Sequence, residues 1–166
     1  MIILGIDPGT ASTGYGVIKK TGVWRSSLNP RDVFKCVAYN MIRTTPDMTT
    51  PNRLKKINKE LSQVIRLYRP DIMVMESLYF FKNLKTAIPV SQAQGVILLA
   101  AAKSNMPVFQ YTPLQAKAAV TGYGRAEKDI VQKRIKFLLR LKEIPRPDHA
   151  ADALAIALTH FLVKKK

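Results

Sequence analysis

The sequence is poor in cysteine and in acid. Cys36 is the single cysteine among 166 residues, which excludes an internal disulfide framework and fits a reducing cytosol. Only 11 Asp+Glu face 27 Lys+Arg, a formal net charge of +16. Long apolar runs are missing as well: stretches such as Val96 to Ala102 fall well short of the roughly 20 residues that a bilayer span needs. The start, Met1 to Gly9, has neither a basic region ahead of its apolar residues nor a long apolar core, so no secretory signal is expected. Repeats and low-complexity tracts are absent. With 47% hydrophobic and 23% charged residues, the chain has the composition and length of one compact domain over 1–166, neither disordered nor membranous.

What is abundant is positive charge, and it is spread along the chain: residues 101–166 alone carry 13 basic and 5 acidic side chains. Such a surface attracts polyanions. With no amphipathic anchor to favour a lipid surface, the expected partner is nucleic acid, with no membrane involved.

Met1 to Asp7 reads as a buried strand stopped by Asp7-Pro8-Gly9, and Gly14 to Ile18 as a second strand making a hairpin with it. A loop over 21–31, a strand over 33–42 and a second loop over 44–51 follow. Leu54, Ile57, Leu61, Val64, Ile65 and Tyr68 repeat at three and four, an amphipathic helix ended by Pro70. Ile72 to Met75 is a fourth, fully apolar strand, and a buried helix rich in small residues follows over about 90–104. A fifth strand spans Pro107 to Gln110. Helices are expected at about 113–120, 127–141 and from Asp148 to about Val163, with Asp148 as N-cap of the last. This order predicts an α/β fold: a five-stranded mixed sheet flanked by helices on both faces.

Two of the apolar strands run straight into acids, Asp7 and Glu76. Alone, each also reads as a turn or capping carboxylate, but neighbouring strands ending at one sheet edge would bring the pair together. Asp152 adds a third acid, in the first turns of a helix whose Ala150, Ala151, Ala153, Ala155 and Ala157 allow close approach to the sheet. His149 lies three residues before Asp152 and so shares its helical face. Such oxygen-rich ligands suit Mg²⁺ or Mn²⁺. Two such ions activate water and stabilise both oxygens in phosphodiester cleavage, and in so basic a protein an acidic pocket needs metal to admit DNA.

The motifs are weak singly and specific in order: Ile2 to Thr10 with Thr13-Gly-Tyr-Gly-Val17, Glu76 leading into Tyr79 to Asn83, Gln92-Ala-Gln-Gly95, Thr121 to Lys128, and His149-Ala-Ala-Asp-Ala-Leu-Ala-Ile-Ala157. Together they resemble the RuvC family of Holliday-junction resolvases, which have a ribonuclease H-like fold, over nearly the whole chain. The resemblance implies catalytic and metal-binding roles for Asp7, Glu76, His149 and Asp152 with two Mg²⁺ ions, or Mn²⁺ in their place. The slot of His149 is Asp in some members of that family and His in others, so here the site has one formal negative charge fewer. The resemblance further implies DNA contacts by Tyr79, Phe80, Lys82, Lys117, Arg125 and Lys128. Which ring among Tyr79, Phe80 and Phe81 stacks at the junction centre is left open, and residues 21–50 look like an insertion without an assigned role.

The function so implied is paired nicking of two like-polarity strands of a four-way junction in recombination and repair. The enzyme would be a homodimer joined through the helix at about 86–104, where Ala93, Gly95, Ala100 and Ala101 would permit close packing. RuvA- and RuvB-type branch-migration proteins are the implied partners, and the cytoplasmic nucleoid the implied location. Ile6 to Thr10 is also similar to the first phosphate loop of actin-like ATPases and sugar kinases, but those enzymes close two domains around ATP. A nuclease of the same fold acting on structured RNA, such as ribosomal RNA precursor, and a non-catalytic junction-binding module stay open as alternatives. The Tyr79 to Asn83 loop favours junction DNA over the former, and three strand-end and helix acids speak against the latter.

Overall fold

The computed structural model describes residues 1–22, 33–77 and 84–163. Strands β1 (Ile2–Asp7), β2 (Ser12–Lys20) and β3 (Phe34–Arg43) are followed by helix α1 (Thr50–Tyr68), strand β4 (Ile72–Glu76), helix α2 (Leu84–Lys103) and strand β5 (Val108–Tyr111). Helices α3 (Pro113–Thr121), α4 (Lys128–Leu138) and α5 (Asp148–Leu162) complete the chain. The five strands form one sheet in the order β3-β2-β1-β4-β5. The first three pair antiparallel, while β4 runs parallel to both β1 and β5. The sheet is therefore mixed, as expected.

Alternation along the strands divides the core. Leu4, Ile6, Val17, Ile42, Met73 and Met75 point to one face, where Ile57, Leu61 and Ile97 of α1 and α2 cover them. Ile3, Ile18 and Val74 point to the other, against Ala116, Ile135 and Leu154 of α3, α4 and α5. Each such fully buried aliphatic side chain contributes about 1.5–3 kcal/mol. Asp7 continues the series Ile3, Gly5 and so faces α5.

The structure differs from the sequence reading mainly at helix starts. Helix α1 begins at Thr50, with Pro51 in its first turn, where a missing N–H costs nothing. Helix α2 reaches back to Leu84 and carries Pro89 inside it, although proline there predicts a boundary. Helix α4 stops at Leu138, earlier than expected, and Arg140 follows in a left-handed conformation with φ 53°. Of the 21–50 segment, β3 takes up Phe34–Arg43 as the edge strand beside β2.

Candidate active site

Strands β1 and β4 are parallel neighbours, with Ile6 opposite Met75, so Asp7 and Glu76 emerge side by side at one edge of the sheet. Helix α5 reaches that edge because the strands beneath it lack side chains. A Cβ on Gly14, which pairs with Asp7, would lie 2.0 Å from the His149 carbonyl oxygen, and one on Gly5 would lie 2.1 Å from that of Ala153. These are separations that no packed atoms adopt. Alanines on α5 and glycines on β1 and β2 are therefore two halves of one close contact. Sequence reasoning found only the helical half, although Gly14 and Gly16, two apart on one strand face, were the signal for the other.

The contact sets the first turns of α5 over the two strand ends. His149 Nδ1 lies 2.7 Å from Asp7 Oδ2, and Asp7 is only 8% exposed. Lys128, at the start of α4, spans two α5 acids, with Nζ 3.3 Å from Asp148 Oδ2 and 3.3 Å from Asp152 Oδ2. Asp148 is not the N-cap expected from sequence. Pro147 occupies that position without a side-chain cap, and Asp148, one residue into the helix, accepts from Lys128 and from Gln132 Nε2 at 3.1 Å. A first-turn carboxylate still complements the helix dipole.

Glu76 and Asp152 both bind a proton more tightly than an ordinary carboxylate. Burial pushes Glu76 up to about 7, helped by the charges of Asp7 and Asp152 and a hydrogen bond with Asp7, with His149 opposing. Asp152 is also raised, by burial first, with Lys128 pulling the other way. His149 is raised chiefly by its hydrogen bond to Asp7. For Lys128, burial alone would lower the value, and the carboxylates of Asp152 and Asp148 outweigh it. Raised carboxyl values in a cleft mark charge that the fold concentrates rather than disperses.

A cavity of about 260 Å³ opens beside these groups, lined by Glu76, Lys117, Lys128 and Asp152 over a floor of Ala116, Val131, Ala155 and Ile156. Helix α3 aims Lys117 there. Thr112 and Gln115 form a reciprocal capping box at its start, and Gly122 ends it with φ 87°. Lys117 Nζ donates to the Ala126 carbonyl at 2.8 Å, tying α3 to the turn before α4. Arg125 lies exposed on that turn. From the other face, Gln94 Nε2 reaches the Glu76 carbonyl at 3.5 Å, a contact that sequence reasoning missed although it had singled out the Gln92–Gly95 motif. Tyr79, Phe80, Phe81 and Lys82 lie outside the described residues.

The model matching Crossover junction endodeoxyribonuclease RuvC covers residues 3–160. The chain belongs to the RuvC family. A RuvC crossover junction endodeoxyribonuclease from Desulforamulus reducens is 52% identical over 160 residues, which is 96% of this chain and 93% of that one. Another from Petrotoga mobilis is 49% identical over the same shares. Among solved structures, Thermus thermophilus RuvC superposes with a TM-score of 0.85 at 36% identity, covering 96% of this chain and 93% of that chain. A second structure, that protein in complex with a Holliday junction substrate, gives 0.88 at 34%, covering 98% and 93%. The yeast mitochondrial Holliday junction resolvase shares the fold alone, with a TM-score of 0.63 at 15% identity and coverage of 96% and 78%. The fold is thus the ribonuclease H-like one that the motifs implied.

In donor chemistry the predicted set fits a hard divalent ion: three carboxylates and an imidazole, with Glu76 and Asp152 destabilised as anions by burial and by neighbouring carboxylates, Asp7 for both and Asp152 for Glu76. As they stand, no group of three His, Cys, Asp or Glu side chains among the described residues is arranged to hold an ion. Asp7 is turned to His149 and Asp152 to Lys128, so ligation requires those side chains to exchange partners.

Proposed function

We propose that the protein is a structure-specific DNA endonuclease that resolves four-way Holliday junctions in recombination and repair. It makes paired nicks in two strands of like polarity and leaves ligatable 5′-phosphate and 3′-hydroxyl ends. The observation that carries this is a set of acids that act on one another's charge, with Glu76 pushed up to about 7, at one sheet edge of a +16 chain in the RuvC family. The relative solved with a Holliday junction substrate matches this chain over 98% of its length, which supports junction DNA as the substrate.

In this reading Asp7, Glu76, His149 and Asp152 hold two Mg²⁺ ions, with Mn²⁺ able to replace them. When bound, such ions supply Lewis acidity toward the scissile phosphate and lower the pKa of water. The chain's own residues do the rest. Asp7, walled in by β1 and α5, fixes one carboxylate in place. His149 Nδ1 gives up its hydrogen bond to Asp7 and becomes a neutral donor. Lys128 leaves Asp152 and, with Lys117 across the cavity, meets the phosphates that enter. Arg125, Tyr79, Phe80 and Lys82 extend the contact to the strands beside the cut.

A two-fold substrate calls for a two-fold enzyme, and α2 supplies the proposed joint, though not through all the residues the sequence suggested. Ala93, Ala100 and Ala101 are buried in the chain's own core. The outward stripe is Ile88, Gln92, Gly95, Leu99 and Ala102, with Ile88 70% and Leu99 50% exposed and open space over Gly95. Its spacing of four, three, four and three is that of a helix seam. RuvA- and RuvB-type proteins are the proposed partners and the cytoplasmic nucleoid the proposed place of action. No described helix is long and apolar enough to cross a membrane.

The test is cleavage of a synthetic four-way junction, a linear duplex and a structured RNA in Mg²⁺ or Mn²⁺, comparing wild type with Asp7→Asn. Symmetric, metal-dependent nicking of the junction by wild type, with a mutant that binds but does not cut, is expected. Cleavage of RNA instead would overturn the substrate, and junction binding without cutting by wild type would overturn the activity.

A further inference from the structure

One broad concavity of the described surface lies apart from the acidic site. It is a groove of about 760 Å³ between α1 and the β2–β3 strands, lined on one wall by Asn52, Lys55, Lys56, Lys59 and Gln63 and floored by Tyr15 and Asn40. Three lysines face it against one acid, Glu60, and Lys56 holds that acid at 3.7 Å in an exposed pair. An exposed pair of this kind adds little, so it yields readily to a better anion. Lys55 and Lys59 have no acidic partner among the described residues.

The groove is joined to the acidic edge by the chain's connectivity. Asp7 pairs with Gly14, and Gly14 with Met41, so the end of β3 and the start of α1 lie at the edge that carries the acids, where Thr44 Oγ1 donates to the Thr10 carbonyl at 2.6 Å. Asn52 and Met48 line the near end of the groove, and Leu67 and Tyr68 the far end. From Asn52 to Tyr68 a helix advances roughly 25 Å, about the rise of 7 base pairs. The groove lies on the sheet face opposite the one Asp7 points to. Helix α1 packs against α2 and against β3, so the groove between α1 and the β2–β3 strands opens on the flank away from the proposed dimer joint.

We infer that this groove is a second DNA-binding surface, in which Lys55, Lys56 and Lys59 neutralise the phosphates of a junction arm while Asn52 and Gln63 donate to its backbone. The inference rests on the junction reading above and adds to it a set of residues that hold the arm without touching the cut.

The test is junction affinity against salt, with EDTA present so that no cutting intervenes, for wild type and for a Lys55→Gln/Lys56→Gln/Lys59→Gln variant. Glutamine keeps helix propensity near that of lysine. A control removes equal charge from the opposite end of the sheet and from the end of α2, through Lys19→Gln/Lys35→Gln/Lys103→Gln. The groove variant should bind at least about tenfold more weakly near physiological salt, and its log–log salt slope should be shallower by about 2–3, near one unit per lost phosphate contact. Its cutting rate at saturating protein should match wild type. Equal losses in the groove and control variants, or a groove variant with wild-type affinity and slope, would overturn the inference. Wild type that fails to bind the junction at all would instead overturn the function on which it rests.

Discussion

The fit of α5 onto the sheet can be tested by adding one methyl group. In Gly14→Ala the new Cβ would sit 2.0 Å from the His149 carbonyl oxygen, 2.4 Å from its carbonyl carbon and 3.0 Å from the Ala150 nitrogen. All three are backbone atoms of a helix, so no rotamer can turn away. Relief to an ordinary contact requires the helix start to rise by about 1 Å, and overpacking of this kind costs about 1–3 kcal/mol. The same shift stretches the 2.7 Å His149–Asp7 contact beyond hydrogen-bond range and moves Asp152 with it. A displacement of about 1 Å in reacting groups lowers rates about 100-fold. Gly14→Ala should therefore melt roughly 2–12 °C lower by calorimetry and cut a four-way junction about 100-fold more slowly, with binding retained in a mobility-shift assay. Gly22→Ala, where among the described residues the added atom meets only Val33 Cγ2 at 4.0 Å, serves as the control. A Gly14→Ala protein with wild-type melting and cutting would refute the argument that glycine sets the position of the site.

Glu76 gives a pH signature. Its folded value of about 7 lies above the ordinary 4.5, so between these values the folded chain holds a proton that the unfolded chain has released, and stability falls as pH rises, by up to about 3 kcal/mol. Glu76→Gln should flatten the melting temperature between pH 5 and pH 8 (about the span of that titration), and equal slopes in both proteins would count against it. Mg²⁺ should raise the wild-type melting point more at the alkaline end, measured by the same scans. Replacing Lys128 by Gln removes only half-exposed ion pairs, so stability should change by less than about 1 kcal/mol while cutting falls at least tenfold. His149→Asp should stay active and shift its preference toward Mg²⁺ relative to Mn²⁺, read from cleavage rates in each ion. Leu99→Glu on the outward stripe of α2 should convert a dimer to monomers by sedimentation, and a dimer that persists would remove α2 from the joint.

What the sequence made legible were features with a local period or a local stop. Apolar runs halted by acids marked Asp7 and Glu76, and the three–four repeat from Leu54 to Tyr68 marked α1. His149 and Asp152 were a pair by helical spacing alone. What stayed hidden depends on a second segment. Asp148 reads as a cap because Asp caps helices; only the position of Lys128 and Gln132, on a different helix, makes it a partner to them. Ala93, Ala100 and Ala101 read as a joint between chains because small residues permit close packing. They are filled instead by the chain's own core, and the residues left facing outward, Ile88 and Leu99, are larger.

The same dependence explains how a chain with so much positive charge can build an acidic site. Three of the four carboxylates at the site have a basic side chain beside them: His149 for Asp7, and Lys128 for Asp152 and Asp148. Glu76 has no such partner among the described residues, and it is the acid pushed up to about 7, chiefly by burial. Binding of a divalent cation at the proposed site would then be an exchange of a basic partner at Asp7 and Asp152, whereas Glu76 would surrender its proton and with it the hydrogen bond to Asp7. A lysine so displaced from Asp152 would stay at the site, since Lys128 and Lys117 line the same cavity. An incoming phosphate can take the place that the carboxylate gives up. Metal and DNA binding should accordingly support one another through Lys128, and Lys128→Gln should weaken that coupling more than it weakens either ligand alone.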